Sequence, residues 1–585
     1  MRIMVELFTL EIIKNGLVVA NEEMFQAFAR SAKSPVIYEV LDFAVGMTDD
    51  KGNLVAQAPG VPAFSGVLDF AAKEVLDKWK NDIKPGDVIV SNVPYNSGTH
   101  LNDVTLALPI FYKDDLIAMV LNKGHWSEVG GMAFGSWNPN STEIYQEGLL
   151  LPCVKLYNEG KPNKDVIDII MENSRLPDYT LGDMEAQNAS MKVAMRRVLK
   201  LIEKYGIDNV KFAMEKLIED GEKYSLLRLK NLPKGEFEAE DFIDSAISNT
   251  EKPVHVKAKI KITDTEFIVD FTGSDKQVMS PINSPFPATV SGVREVYMAI
   301  TDPHTYPNGG FFKPLKVFAE RGSVFYPIKP APTSTDWEAI AFATELVWKA
   351  LAPYLPDKLP AGHFLSIVAT IVGGINDKNG EPFAIVEPQP GGWGASSSSD
   401  GTSCLVACGD GETYIASSEV YEKNFPIMVE RYMLNTETGV GAGKYRGGFG
   451  VIREYRITNS EVLVTVQVGR HDFPPWGVNG GLSGPGNKVF IYKDGNPPKE
   501  IRRISAELFK KGDLISIRTS GGGGFGNPLN RDPKLVLEDY KNDLISKIEA
   551  LEVYGVVIED NKVNEEKTEY IRKKMRNLKD NQGKN

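Results

Sequence analysis

The chain has six histidines in 585 residues, and two of them fall in glycine-flanked segments that also carry carboxylates. Gly98-Thr99-His100-Leu101-Asn102-Asp103 sets an imidazole and a carboxylate at i,i+3. His125 follows in Gly124-His125-Trp126-Ser127-Glu128-Val129-Gly130-Gly131. Two imidazole lone pairs and one carboxylate make a donor set for a divalent ion that keeps positions open for water or a substrate oxygen. The neighbouring glycines let backbone approach a ligand closely. Asp42, in Leu41-Asp42-Phe43, is a candidate fourth ligand or an orienting partner for an imidazole. The H-x-x-D spacing alone is common, and two histidines capping strand ends would look the same.

Acid–base chemistry has three candidates nearby: Glu128, Glu143 and Glu147. The last two stand at i,i+4 and would share a face if the segment were helical. Either could then serve as a general base beside a metal, and a solvated acidic turn would read the same way.

Other chemistries find little support. Gly521, Gly523 and Gly526 fit G-x-G-x-x-G, but Asn527-Pro528 follow at once, so the helix that a dinucleotide site needs cannot start there. A tight, buried glycine loop is the expectation. No phosphate-cradling G-x-x-x-x-G-K-[ST] occurs, since Tyr445 follows Gly443-Lys444. Ser396 to Ser399 lack a nucleophile elbow. Cys404 and Cys408 have no electropositive flank and read as ordinary thiols. His255, His304, His363 and His471 are scattered and read as structural.

The elements that must position the histidines are strands. GDVIVSNVPY, VTLALPIFY and LIAMVLNKGH are apolar and β-branched, so the candidate ligands sit at strand ends and in the loops between them. Before these, helical spacing covers 5–32, and two strands flank the turn Asp49-Asp50-Lys51-Gly52. A helix follows over 66–81. Helical pattern returns over 183–231, interrupted at Gly206. VHVKAKIKITDTEFIVDFTG alternates about a turn and predicts a hairpin with one wet face. DWEAIAFATELVWKALAPYL predicts a helix, and PQPGGWGASSSSDG a long loop. Short strands and glycine turns fill 430–530, with a helix near 534–551, and the charged stretch from Lys567 onward is expected to fray. The expected fold is α+β and multidomain, with mixed sheets, an α/β N-terminal metal-binding region and a β-rich C-terminal half. The expected divisions are 1–240, 241–430, 431–533 and a C-terminal helix and charged tail over 534–585.

Hydrophobic residues at 42%, charged residues at 25% and net charge -12 fit a globular protein that buries a large core. A surface this acidic repels phosphate backbones, which argues against nucleic acid. Three cysteines form no doubled C-x-x-C pattern and suit a reducing compartment. No signal peptide or membrane-spanning run is evident, so a cytoplasmic location is expected.

The sequence resembles the hydantoinase B/oxoprolinase family over most of its length. The likeness is carried by TLEIIKNGL, EEMFQAFARSAKSPVIYEVLDFAVGMTDDKGNLVAQAPGVP, GTHLNDVTLALPIF, HWSEVGG, EIYQEGLLLPCVKLYNEG, SRLPDYTLGDMEAQNAS, Tyr445 to Gly450 and SGGGGFGNPLNRDP. The family includes B-type subunits of ATP-dependent hydantoinases and lactam-opening enzymes and a domain of 5-oxoprolinase. It is similar also to the metal-bearing subunits of acetone and acetophenone carboxylases. The resemblance implies a divalent metal (zinc, manganese or iron) on His100, Asp103 and His125 with Asp42 close by. It also implies a hydantoinase A-like partner that binds ATP, and leaves open a small third subunit. Trp126 departs from the family's paired histidines and is expected to narrow the site. A histidine-containing H-M-T-N block is replaced by CLVACGDGETYIASSEVYEKNFP. ATP-dependent opening of hydantoin, 5-oxoproline or a lactam is the first expectation, and ketone carboxylation the second. A non-catalytic scaffold with a structural ion is a third, and two histidines with a carboxylate also suit an iron oxygenase.

Overall fold

A computed structural model describes residues 7–244, 252–493 and 495–582. Helix Leu7–Ser31 opens the chain where helical spacing predicts it, residues 5 and 6 lying outside the described range. Seven strands follow in one sheet of order β2-β1-β5-β4-β3-β6-β7. They are β1 (Phe43–Asp49), β2 (Leu54–Gln57), β3 (Val88–Ser91), β4 (Asp103–Tyr112), β5 (Asp115–His125), β6 (Val154–Asn158) and β7 (Lys161–Pro162). Both faces of the sheet are covered, so its strands read as near-continuous apolar runs. Along β4, Val104, Leu106, Leu108 and Ile110 join the main core with Ile13, Leu17 and Phe28 of the opening helix. Ala107 faces the opposite way, with Leu68, Ala72 and Val75 of helix Leu68–Trp79. Helix Pro177–Tyr205 packs beside Leu7–Ser31 on the first face, and Gly206, at φ 85°, turns the chain into Ile207–Leu229.

A second sheet, order β11-β10-β9-β8, joins β8 (Gly235–Ile243), β9 (Val254–Ile262), β10 (Phe267–Asp270) and β11 (Leu315–Phe318). β9 and β10 pair antiparallel, as the alternating pattern predicts. Helices Phe286–Thr301 and Trp337–Leu351 cover it. A third sheet, order β13-β12-β16-β19, draws β12 (Thr370–Ile375) and β13 (Pro382–Glu387) together with β16 (Glu461–Gln467) and β19 (Arg503–Lys510). Hydrogen bonding therefore runs across residue 430, and Phe364, Ile371 and Val386 pack into the N-terminal core. The fourth sheet, order β14-β15-β20-β17-β18, comprises β14 (Ile427–Leu434), β15 (Val451–Ile457), β17 (Lys488–Tyr492), β18 (Lys499–Ile501) and β20 (Leu514–Arg518). These four larger sheets, a two-stranded ribbon of Ile558–Glu559 and Lys562–Val563, and the helices packed on them make the chain α+β.

Glycine-rich segments pass one another at backbone contact beside these sheets. A Cβ on Gly522 would lie 2.2 Å from the carbonyl of Trp393, and one on Gly524 2.2 Å from the carbonyl oxygen of Ala442. Only glycine fits there, and residues 521–525 are buried. The segment after Lys567 differs from expectation. It belongs to helix Glu565–Gln582, because Arg572 donates to the carbonyls of Tyr554 and Arg531, and Arg576 to that of Leu529. The region 534–551 forms two short helices, Pro533–Lys541 and Lys547–Glu552.

Candidate metal centre

Strand pairing brings the first two candidate ligands together. β4 and β5 run antiparallel with Asp103 opposite His125, so their side chains share a face at cross-strand distance. His125 Nδ1 lies 3.1 Å from Asp103 Oδ1. His100, in the turn before β4, places Nδ1 2.8 Å from Asp103 Oδ2. The Thr99 hydroxyl also donates to Asp103 Oδ2. One atom from each of His100, Asp103 and His125 lies within 4.8 Å of the others. Asp42, after Leu41 at φ 61°, has Oδ2 3.9 Å from His125 Nδ1, and its carbonyl accepts the His125 N–H at 3.1 Å.

Two further aspartates line the same cavity, Asp336 and Asp410, and sequence reading missed both. Asp336 Oδ1 is 3.5 Å from His100 Nδ1. It stands at the N-cap of helix Trp337–Leu351 without capping it, which reads in sequence as an ordinary helix start. Asp410 comes from the segment CLVACGDGETY, where it ends the 3₁₀ turn Cys408–Asp410. The remaining walls are apolar: Val61, Phe64, Trp137, Trp337, Ile340, Leu365 and Ile367. The enclosed volume is ≈ 50 Å³.

The electrostatics follow from burial and charge crowding. Burial, then Asp410 and Asp103, pushes Asp42 well above the usual carboxylate range. Burial, reinforced by Asp103, raises Asp410 to about 7. Asp336 rises to about 6, chiefly by burial, against the pull of His100. Asp103 goes the other way: burial opposes its charge, but His100, His125 and Lys123 hold it ionised. Burial lowers His125. For His100 burial acts downward, yet Asp103 and Asp336 favour the imidazolium and would lift its pKa to about 10. Trp137 Nε1–H, however, donates to His100 Nε2 at 3.0 Å, and an indole can only donate. That contact requires a lone pair on Nε2, so the geometry describes a neutral ring with its proton on Nδ1, facing Asp103; a cation between these two residues would take the place of that proton.

The donor set suits a divalent cation. His125 Nε2, Asp42 Oδ1 and Asp336 Oδ2 are buried without hydrogen-bond partners, a cost that a bound ion would remove. Lys123 is the nearby cation. Its Nζ donates to the Asp103 carbonyl at 2.8 Å and packs over Phe64, and it does not line the cavity.

The predicted glutamates lie elsewhere. Glu128 is buried, and its carboxylate accepts from the N–H groups of Gly130 and Gly135, the Ser136 hydroxyl and Arg175. Glu147 accepts from Ser141 Oγ at 2.6 Å and from the backbone of Thr333 and Ser334, fastening the segment that carries Asp336. Glu143 is exposed at the start of the 3₁₀ turn Ile144–Gln146, so Glu143 and Glu147 do not share a helix face. Trp126 does not narrow the cavity. It is buried in the main core and donates to Gln187 at 2.8 Å; the indoles at the cavity are Trp137 and Trp337.

Fold and site together define a class: a multi-sheet α+β chain with a buried pocket of two histidines and four aspartates in apolar walls. The chain belongs to the hydantoinase B/oxoprolinase family, whose model matches residues 6–528. It is 32% identical over 585 residues to the B-type subunit of a putative D-/L-hydantoinase from a Pseudomonas species, covering 97% of this chain and 98% of the relative. The crystal structure of an ATP-dependent caprolactamase from Pseudomonas jessenii superposes with TM-score 0.91 at 26% identity, covering 97% of this chain and 100% of that one. A nucleotide-free acetone carboxylase structure gives TM-score 0.91 at 21% identity over 99% of this chain and 84% of that one, a likeness of fold. Among the described residues no helix is long and apolar enough to cross a membrane.

Proposed function

We propose that this chain is the metal-binding subunit of an ATP-dependent amidase that opens uncharged cyclic amides, working with an A-type subunit that binds ATP. The observation that carries the reading is the pocket of His100, Asp103, His125, Asp42, Asp336 and Asp410, closed by Trp137 and Trp337. The kinship with a B-type hydantoinase subunit and a caprolactamase supports the reaction class. No G-x-x-x-x-G-K-[ST] loop occurs in this sequence, and the G-x-G-x-x-G match at Gly521 to Gly526 opens no helix, which supports a separate ATP-binding partner. A divalent ion held by the histidines and Asp103 would polarise a carbonyl oxygen and acidify a water.

The chain's own residues supply orientation and proton traffic. The space of ≈ 50 Å³ takes an ion and a few waters, so a compact ring would enter by displacing the two indoles and Phe64, which would then clasp it and exclude water. Asp336 and Asp410, with carboxyls raised to about 6 and about 7, titrate near neutral pH and can give or take a proton at the substrate nitrogen or at a water. This moves the acid–base role from Glu128, Glu143 and Glu147 to the two aspartates that face the cavity. Among the described residues no lysine or arginine lines it. A neutral lactam or hydantoin therefore fits better than 5-oxoproline, whose carboxylate would enter a ring of aspartates.

The test is to purify the chain with an A-type partner and follow ATP consumption and ring opening. Hydantoin, caprolactam, 2-pyrrolidone and 5-oxoproline form the panel, with ketones plus bicarbonate as the contrast. The reading expects ring opening of neutral amides, lost in His125→Ala, and a far higher KM for 5-oxoproline than for 2-pyrrolidone. Bicarbonate-dependent carboxylation of a ketone, with no amide opened, would replace it by the carboxylase reading.

A further inference from the structure

A second group of ligand-type side chains lies away from the pocket. We propose that Asp244, His471 and Asp472 form a second divalent-cation site that fastens the segment after β16 to the end of β8. One atom from each residue lies within 4.8 Å of the others. His471 Nδ1 is 3.2 Å from Asp472 Oδ2 and 3.7 Å from Asp244 Oδ1, and its side chain is 7% exposed. Neither ring nitrogen makes a hydrogen bond. Nδ1 meets its two carboxylates outside hydrogen-bond geometry and Nε2 meets no partner, which is costly for a side chain this far from solvent unless something else binds it.

The surroundings hold the three groups in place. Asp244 accepts the backbone N–H groups of His471 at 2.9 Å, Asp472 at 3.0 Å and Phe473 at 3.3 Å. This wraps the segment around the carboxylate: Oδ1 takes two of the three N–H groups, and Oδ2, with one, keeps a lone pair for a cation. Arg502 grips both oxygens of Asp472, fixing that carboxylate as an outer partner fixes a ligand. Arg470, which also faces Asp244, is already matched by Glu345 and Asp241, so two carboxylates against the Arg502 guanidinium leave one negative charge, which favours a cation. One imidazole with two carboxylates suits manganese or zinc better than the all-oxygen preference of calcium or magnesium. Asp472 is 47% exposed, so solvent can fill the open positions and exchange the ion.

The rival description is an imidazolium shared between the two aspartates, and metal stoichiometry separates the two. The full chain, stripped by chelation, is titrated with cobalt(II), read by visible absorbance, and with manganese(II), read by bound metal after dialysis. The expected result is that His471→Gln and Asp472→Asn each lose one equivalent relative to the native chain. His125→Gln should keep that equivalent. Asp472 is at the surface, so Asp472→Asn should fold, and circular dichroism checks it. Unchanged stoichiometry in both His471→Gln and Asp472→Asn would overturn the proposal. The site stands apart from the main pocket, so loss of that pocket's metal in His125→Gln neither supports nor removes this one.

Discussion

Asp103 and His125 stand directly opposite one another across β4 and β5. A one-residue slip of either strand would turn one of them to the other face of the sheet and dissolve the pair. The apolar residues of β4 and β5 that pack into both cores fix that register, so the hydrophobic pattern aims the site.

Metal uptake should release protons. Asp336 and Asp410 have their carboxyls raised to about 6 and about 7, so near pH 6 they hold protons that a cation must displace. Affinity should rise with pH through 6 and 7 and level off above. Calorimetry of manganese binding in two buffers of different ionisation enthalpy measures the release. Equal heats in both buffers would contradict it.

Glu147→Gln should weaken metal binding without removing a donor. Glu147 holds the backbone of Thr333 and Ser334, just ahead of Asp336. Loss of such an outer contact typically costs about 10–100-fold in affinity. Manganese titration of the variant checks this, and a native affinity would show that the Thr333–Asp336 segment holds its place unaided.

Glu295 should make the protein less stable as pH rises. Burial raises its carboxyl to about 8, against about 4.5 in the unfolded chain. Between those values the folded state binds the extra proton, so stability falls with rising pH and levels off above about 8. Glu338 and Glu147, each raised to about 7 by burial, act in the same direction. Glu295→Gln should flatten the slope of melting temperature against pH between pH 5 and 8, and an unchanged slope would contradict the assignment.

Gly522→Ala should abolish soluble folded protein or cost more than about 3 kcal/mol, because overpacking here meets rigid backbone. The added carbon would sit 2.2 Å from the Trp393 carbonyl. Gly374→Ala is the control, with its nearest contact at 3.6 Å. Chemical denaturation of both variants gives the comparison, and equal stability would refute the close-packing account.

Much of this was legible in the sequence, for reasons that particular residues show. The apolar runs of β4 and β5 announced strands, and the glycine-flanked histidines at their ends announced donors. The α+β class followed from the helical and alternating stretches. Asp336 and Asp410 were hidden because each reaches the pocket by long-range folding, one from a helix start and one from the short 3₁₀ turn Cys408–Asp410. Glu147 looked catalytic because its segment could be read as helix, whereas a 3₁₀ turn separates it from Glu143 and its oxygens are taken by backbone. The order of helix Glu565–Gln582 was concealed by its charge. It is held by arginines donating to carbonyls rather than by an apolar stripe.

The central claim is that His100, Asp103 and His125 hold one cation. The most direct measurement is an anomalous-scattering map from crystals grown with manganese. The account predicts a peak about 2.0–2.3 Å from a ring nitrogen of each histidine and from an Asp103 oxygen. A clean map there, with the metal present and the three side chains in place, would contradict it.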